Sequence, residues 1–469
     1  MLNLSIMPWA VALLFQEASG VFTGGGLNGG DLPAILSSGT AIVVYIFIIL
    51  TLIAFLVVAV LTGGREKNAR NSAREDLSDM DELLDLYDPS DADNLYEPYG
   101  APDQAPVGAT DSRFCMLSRI DENRNRYGHR TYDKGITLDR FCEDFRNFAA
   151  YQLKLYYDID DIRRFVAGMA VSKILILQGM SGTGKTSLAH AFGEFVDNRS
   201  TVIPVQPMWK ERTDLIGYYN EFTKRFNETL LLEKMYESNY SHDMYVTVLD
   251  EMNIARVEYY FAEFLSLLEL PNPDERHLTV VSDTWANDPK QLIDGRIKLP
   301  VNMWFIGTAN NDDSTFAISD KVYDRAMVLD LDKKSERFVA PKTAPLCLSA
   351  DHFAHLADAA VREYAVSSRN RKRLQMLDRY LIEHFHITFG NRIMKQINTY
   401  IPVYIACGGD ELAALDDILA KKVIRKLETQ NPIYLRNAAE GLLGYLDELF
   451  GTEQMTACKD AIRRLQRNA

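Results

Sequence analysis

The chain has 469 residues, 47% of them hydrophobic, enough for two or three folded units with a large core. Its five cysteines (Cys115, Cys142, Cys347, Cys407 and Cys458) are scattered without a CxxC pair, which argues against a zinc ribbon, an iron–sulfur cluster or a disulfide framework and suits a reducing cytosol. The net charge of −14 is concentrated: twelve acidic residues and no Lys or Arg lie between Glu75 and Ser112, so the remainder is nearly neutral and neither advertises nor excludes a nucleic-acid partner.

In chain order, Ile6 to Phe15 is a short apolar run without the basic flank of a signal peptide. Residues 41–61, AIVVYIFIILTLIAFLVVAVL, contain no charge, and about 20 such residues in a helix span a bilayer. The alternative is a buried core helix. Arg65, Lys67, Arg70 and Arg74 follow the run, whereas the first 40 residues contain no Lys or Arg. The positive-inside rule then predicts a single-pass membrane protein, with residues 1–40 outside and everything after 61 in the cytoplasm. Residues 62–112 read as an acidic disordered linker, with Pro89, Pro98, Pro102 and Pro106. It is read as a solvated spacer, or else as an acidic docking segment with Tyr87, Tyr96 and Tyr99 as handles.

Residues 113–170 read as helical: Phe141, Phe145, Phe148 and Leu153 recur at helical spacing, and a second short helix covers Asp160 to Ala170. Lys173 to Gln178 then reads as a buried parallel strand. It runs into Gly179, Met180, Ser181, Gly182, Thr183, Gly184, Lys185, Thr186 and Ser187, which fit GxxxxGK[ST]. Glycines let backbone N–H groups wrap phosphates without side-chain clashes. Lys185 supplies a point charge to the β- and γ-phosphates, and the Thr186 hydroxyl a ligand to Mg²⁺. The following helix, with Leu188, Ala191, Phe192, Phe195 and Val196 on one face, aims its positive end at the same phosphates.

Further strands are predicted at Thr201 to Val205, Tyr245 to Leu249, Met303 to Ile306 and Ala326 to Leu331. The second of these ends in Asp250 and Glu251. There Asp250 would hold Mg²⁺ and Glu251 would act as general base on the attacking water. The third leads into Asn310 and Asn311; an amide at that strand end holds the lytic water, or else the pair is a plain Asn-rich turn. A short helix, Ser319 to Asp324, ends at Arg325, which in a ring would reach a neighbour's γ-phosphate as an arginine finger. His384 and His386 alternate but have no third ligand evident.

These residues in this order resemble the AAA+ ATPases, in particular the dynein-related and McrB-like branch near the MoxR group. The resemblance covers about residues 153–427 and rests on GMSGTGKTS, VLDEMN, FIGTANN and YDRAM. Residues 209–220 are similar to that branch's loop after the second strand, and 277–300 to its inserted hairpin. The resemblance implies a P-loop αβα sandwich on a parallel sheet at 171–335, a helical lid at 336–469, ATP and Mg²⁺ as cofactors, and a homo-oligomeric ring, a hexamer. It makes Asn310 sensor 1 and Arg325 the finger. Arg392, in Phe389-Gly-Asn-Arg392, would be sensor 2, touching the nucleotide's own phosphates. Relatives usually carry an aromatic just after the finger; here Ala326 and Met327 follow. McrB itself uses GTP, but no NKxD-type guanine reader appears, so ATP is expected. The function expected is a membrane-anchored ring ATPase that remodels or switches a protein client. The rivals are a nucleotide-gated scaffold with little turnover and a nucleic-acid motor acting with a separate nuclease.

Overall fold

The computed structural model describes residues 112–128, 130–310, 315–333 and 335–468. Among the described residues, three α-helices precede the first strand: α1 (Met116–Glu122), α2 (Leu138–Gln152) and α3 (Ile159–Val171). Leu138, Phe141, Cys142, Phe145, Phe148 and Ala149 recur at three- and four-residue spacing, and all six are buried, so α2 is an amphipathic helix seated on the core. The Asp158 carboxylate accepts from the Asp160 N–H and caps α3.

The nucleotide-fold elements follow. They are β1 (Ile174–Gly179), α4 (Lys185–Phe195), β2 (Thr201–Pro204), α5 (Thr213–Ile216), β3 (Gly217–Asn220), β4 (Arg225–Glu228), α6 (Leu230–Ser238) and β5 (Tyr245–Asp250). Then come α7 (Val257–Tyr260), α8 (Ala262–Leu267), β6 (His277–Thr279), β7 (Arg296–Lys298), β8 (Met303–Asn310), α9 (Asp320–Tyr323) and β9 (Met327–Asp330). The C-terminal part is helical: α10 (Ala350–Glu363), α11 (Ser368–Phe385), α12 (Gly390–Ala406), α13 (Glu411–Lys422), α14 (Pro432–Phe450) and α15 (Thr456–Asn468).

Five strands form one parallel sheet in the order β2-β5-β8-β1-β9. Both faces are covered over β1, β5, β8 and β9, which is why those strands are buried almost throughout, whereas β2 at the edge alternates. Leu175, Leu177, Val246, Val248, Trp304 and Ile306 join one core with α2, α3, α4 and the C-terminal helices. Ile174, Ile176, Tyr245, Leu249, Met303 and Phe305 join a second core with α1, α6, α7 and α8. The fold is therefore the expected P-loop αβα class with a helical C-terminal region. β8 runs four residues past Ile306 because Gly307 to Asn310 pair with Ile176 to Gly179.

Two antiparallel hairpins stand outside the sheet. β6 and β7 pair within the stretch expected to be a hairpin. The pair β3–β4 was not anticipated, since residues 209–220 read as a loop. Gly217, at φ +94°, opens it; a Cβ there would lie 1.9 Å from the Asn227 carbonyl oxygen, so only glycine permits the pairing.

The single-pass membrane topology, with its lipid contact, does not stand. Among the described residues no helix is long and apolar enough to cross a membrane. The physical reason is visible in α14, the longest at 19 residues, which carries Arg436, Glu440, Asp447 and Glu448; hydrocarbon would strip those charges of water. The run 41–61 itself lies outside the described residues, as do residues 1–40, the linker as far as 111, and Asn311.

Arg113 fastens the start of the described chain. Its side chain is 1% exposed and pairs with Asp283 at 2.9 Å and Asp288 at 2.8 Å. The Trp285 ring lies over the guanidinium, 4.5 Å from its centroid. Asp288 is itself 6% exposed, so removal of the arginine strands a buried carboxylate. Arg113→Met is expected to destabilise the fold by about 3 kcal/mol, read as a lower urea midpoint; an unchanged midpoint would contradict this role.

Candidate functional site

β1 delivers the phosphate loop to the C-terminal edge of the sheet. Gly179 has φ +142°, and a Cβ on it would come within 2.5 Å of the Leu331 carbonyl oxygen, so the chain leaving β9 can pass only against glycine. Gly182 and Gly184 are left-handed, at φ +80° and +87°, which turns the loop into α4. Tyr157, just before α3, donates from its hydroxyl to the Gly184 carbonyl oxygen at 3.0 Å and pins the loop from outside. Burial pushes the Tyr157 phenol well above its usual range, so it stays a donor. Met180 and Ser181 at the loop tip are exposed.

Lys185 is buried at the first position of α4. Its ammonium donates to the carbonyl oxygens of Gly179 at 3.1 Å and Met180 at 2.7 Å, so its charge lies within the curl of the loop. One residue on, the Thr186 hydroxyl donates to Asp250 Oδ1 at 2.7 Å. The Thr308 hydroxyl donates to the same oxygen at 2.8 Å and accepts from the Glu251 N–H at 2.8 Å. Three elements, α4, β5 and β8, thus meet on one carboxylate. Glu251 is exposed and held at φ 52°, a left-handed conformation uncommon for a non-glycine residue and often a mark of a functional site. Thr186 and Asp250 present a hydroxyl and a carboxylate side by side, a hard-oxygen pair that fits Mg²⁺ shared with phosphate oxygens.

Asn310 ends β8 in register with Gly179, so it stands directly beside the loop. The buried Asn253 amide donates to its carbonyl oxygen at 2.9 Å and accepts from its N–H at 3.4 Å. This clamp connects the segment after Glu251 to the end of β8. Between the ends of β1 and β9, the start of α3, and α13 and α15 lies a cleft of about 710 Å³. Asp158, Asp161, Gln178, Asp332, Lys421 and Arg464 are among its walls.

Arg325 and Arg392 stand apart from the loop and together. Arg325 donates to the Lys321 carbonyl oxygen at 2.6 Å and pairs with Glu269 through Oε2. Arg392, in the first turn of α12, pairs with the same carboxylate through Oε1. No polar contact among the described residues joins Arg392 to residues 179–187. Four successive carbonyl oxygens around Arg325 are held by side chains from elsewhere. Lys422 donates to Tyr323 at 2.7 Å and also to Ala326, Gln396 to Asp324 at 3.1 Å, and Ser172 to Arg325 at 2.8 Å.

A parallel αβα sheet with a glycine loop at the end of β1 and an acid pair at the end of β5 is a P-loop nucleoside triphosphatase domain. Residues 174–326, about a third of the chain, match the model of the AAA domain of the dynein-related subfamily. No curated protein matches the chain. Among solved structures, a candidate ATPase from Cytophaga hutchinsonii is 13% identical, with a TM-score of 0.42, over 70% of this chain and 94% of its own. A full-length MCM homologue from Methanopyrus kandleri is 11% identical, with a TM-score of 0.33, over 66% of this chain and 58% of its own.

Sequence reasoning singled out Lys185, Thr186, Asp250, Glu251 and Asn310, and the structure brings these together at one sheet edge. It missed Tyr157, Asn253, Glu269 and Thr308. Thr308 and Asn253 sit inside the quoted strings FIGTANN and VLDEMN, where a hydroxyl or amide beside the named residue was the available signal. Nothing local marked Tyr157 or Glu269.

Burial pushes the Lys422 ammonium from 10.5 down to about 7. The unfolded chain therefore binds that proton more tightly, and from about pH 7 to 10.5 the native state gains stability as pH rises. Lys422→Met removes the group. The stability difference, native chain minus variant, should climb across that window and be lowest below pH 7. Parallel pH profiles from chemical denaturation would contradict it.

Proposed function

We propose that this chain is an AAA+ ATPase that hydrolyses ATP at sites shared between subunits of a homo-oligomeric ring, a hexamer, and uses the cycle to remodel or switch a protein client. The observation that carries this reading is the Asp250 junction. A carboxylate linked to both Thr186 and Thr308, one residue from Glu251, supports a metal-and-water site at the mouth of the loop.

The roles follow from chemistry. Backbone N–H groups of residues 179–187 and the N-terminus of α4 receive the phosphates, and Lys185 turns from the loop carbonyls to the β- and γ-phosphates. Thr186 and Asp250 would hold Mg²⁺, which supplies charge neutralisation on the phosphate oxygens. Glu251 takes the proton of the attacking water. Asn310, in register with Gly179, orients that water. The cleft beside Gln178 and Asp332 suits the base and ribose, since it opens where β1 enters the loop.

Arg325 serves the site of the adjacent subunit, where it stabilises charge on the transferring phosphoryl group. Its companionship with Arg392 on Glu269 favours placing Arg392 on that same side, in preference to its own loop. The C-terminal helices hold the backbone of the finger through Lys422 and Gln396, so a shift of those helices on nucleotide turnover moves the finger with them.

Glu251→Gln should bind ATP normally and lose roughly 10²- to 10⁴-fold in hydrolysis. Arg325→Ala should lose roughly 10³- to 10⁵-fold. Mixing the two inactive chains should restore activity, because the intact Glu251 of one then faces the intact Arg325 of the other. A mixture as inactive as its components would refute the shared site. Equal, low hydrolysis by Glu251→Gln and the native chain would favour the scaffold reading.

A further inference from the structure

We propose that Glu269 is a positioning residue that yokes Arg325 and Arg392, so that the two arginines reach the transferring phosphoryl group as a pair. This rests on the reading of Arg325 as the finger.

The two arginines come from separate elements, the end of α9 and the first turn of α12. Two guanidinium groups brought close repel each other and need a shared counter-charge. Glu269 supplies it, one oxygen to each. The carboxylate is well placed to hold still. It follows α8, whose Phe264 and Leu265 are buried, and the Glu269 N–H donates to the Ser266 carbonyl oxygen at 3.3 Å. It also uses only part of each guanidinium. Arg325 keeps a buried Nε with no hydrogen-bond partner among the described residues. Arg392 is 49% exposed, with Nη2 engaged by Glu269. The cluster carries a net positive charge of one, the sign a phosphate requires.

The pairing adds a charged link between two parts of the chain that Gln396 and Lys422 already join. α12 belongs to the C-terminal helices and carries Arg392 and Gln396, while α9 lies between β8 and β9 and leads into Arg325. Glu269 follows α8, which shares the second core with Val322 of α9, whereas Ile393 and Ile397 of α12 lie in the first. A carboxylate bonded to both keeps the two arginines in one geometry as the helices carry the finger with them. Glu269 itself does not touch nucleotide in this scheme.

The test is a mutant cycle on the full chain, read by release of radiolabelled phosphate from ATP. Glu269→Gln in the native background should lower kcat at least tenfold and leave KM for ATP within twofold. Glu269→Asp, which keeps the charge, should retain more activity than Glu269→Gln. In a chain already bearing Arg325→Ala and Arg392→Ala, Glu269→Gln should change the residual rate by less than twofold. An unchanged kcat in the native background would overturn the proposal. So would an equal loss in both backgrounds, which is the mark of a merely structural role. If Arg325→Ala alone keeps full activity, the finger reading falls and this proposal falls with it. If that variant is inactive while Glu269→Gln is fully active, only the yoke fails.

Discussion

One oxygen of Asp250 receives two threonine hydroxyls, and the arrangement of the site depends on that contact. Thr186 brings the first turn of the helix after the loop. Thr308 brings the neighbouring strand, and through its own oxygen fixes the N–H of Glu251. A hydroxyl can donate one proton and still accept another, which is what lets Thr308 stand between the two acids. Valine would fill the same space and break the chain of bonds. The parallel register does the rest: Gly179 beside Asn310 and Pro204 beside Asp250 bring loop, acids and amide to one edge.

The second constraint lies at Arg325. A short helix of four residues cannot hold an arginine in place by itself. Here the carbonyl oxygens of residues 323 to 326 are each taken by a side chain from α3, α12 or α13 and their ends. The C-terminal helices also share a continuous core with α2, α3 and one face of the sheet. The same packing that stabilises the domain therefore couples those helices to Arg325.

What could be read from the sequence was what is local along it. The loop is a run of nine residues, and the acid pair closes a visible apolar strand, so both were legible with their strand and helix context. Hydrophobic spacing located α2, α3 and α4 to within a residue or two, because buried faces impose their period on sequence. The contacts that were not legible bridge distant positions. Thr308 meets Asp250 across 58 residues and Tyr157 meets Gly184 across 27. Glu269 lies 56 residues from Arg325 in a stretch with no motif. The hairpin β3–β4 escaped because its strands are four residues each and its alternation is weak. The pairing of Arg392 with Glu269 was likewise not announced by anything local.

The central claim is that each site is completed by another copy of the chain. The most direct measurement is specific ATPase activity across a wide range of protein concentration, at fixed saturating ATP and Mg²⁺. The account predicts a steep rise toward a plateau, with little activity at high dilution, since Arg325 has no phosphate to serve in a lone chain. Specific activity that stays constant down to the dilution at which only monomers are present would contradict it.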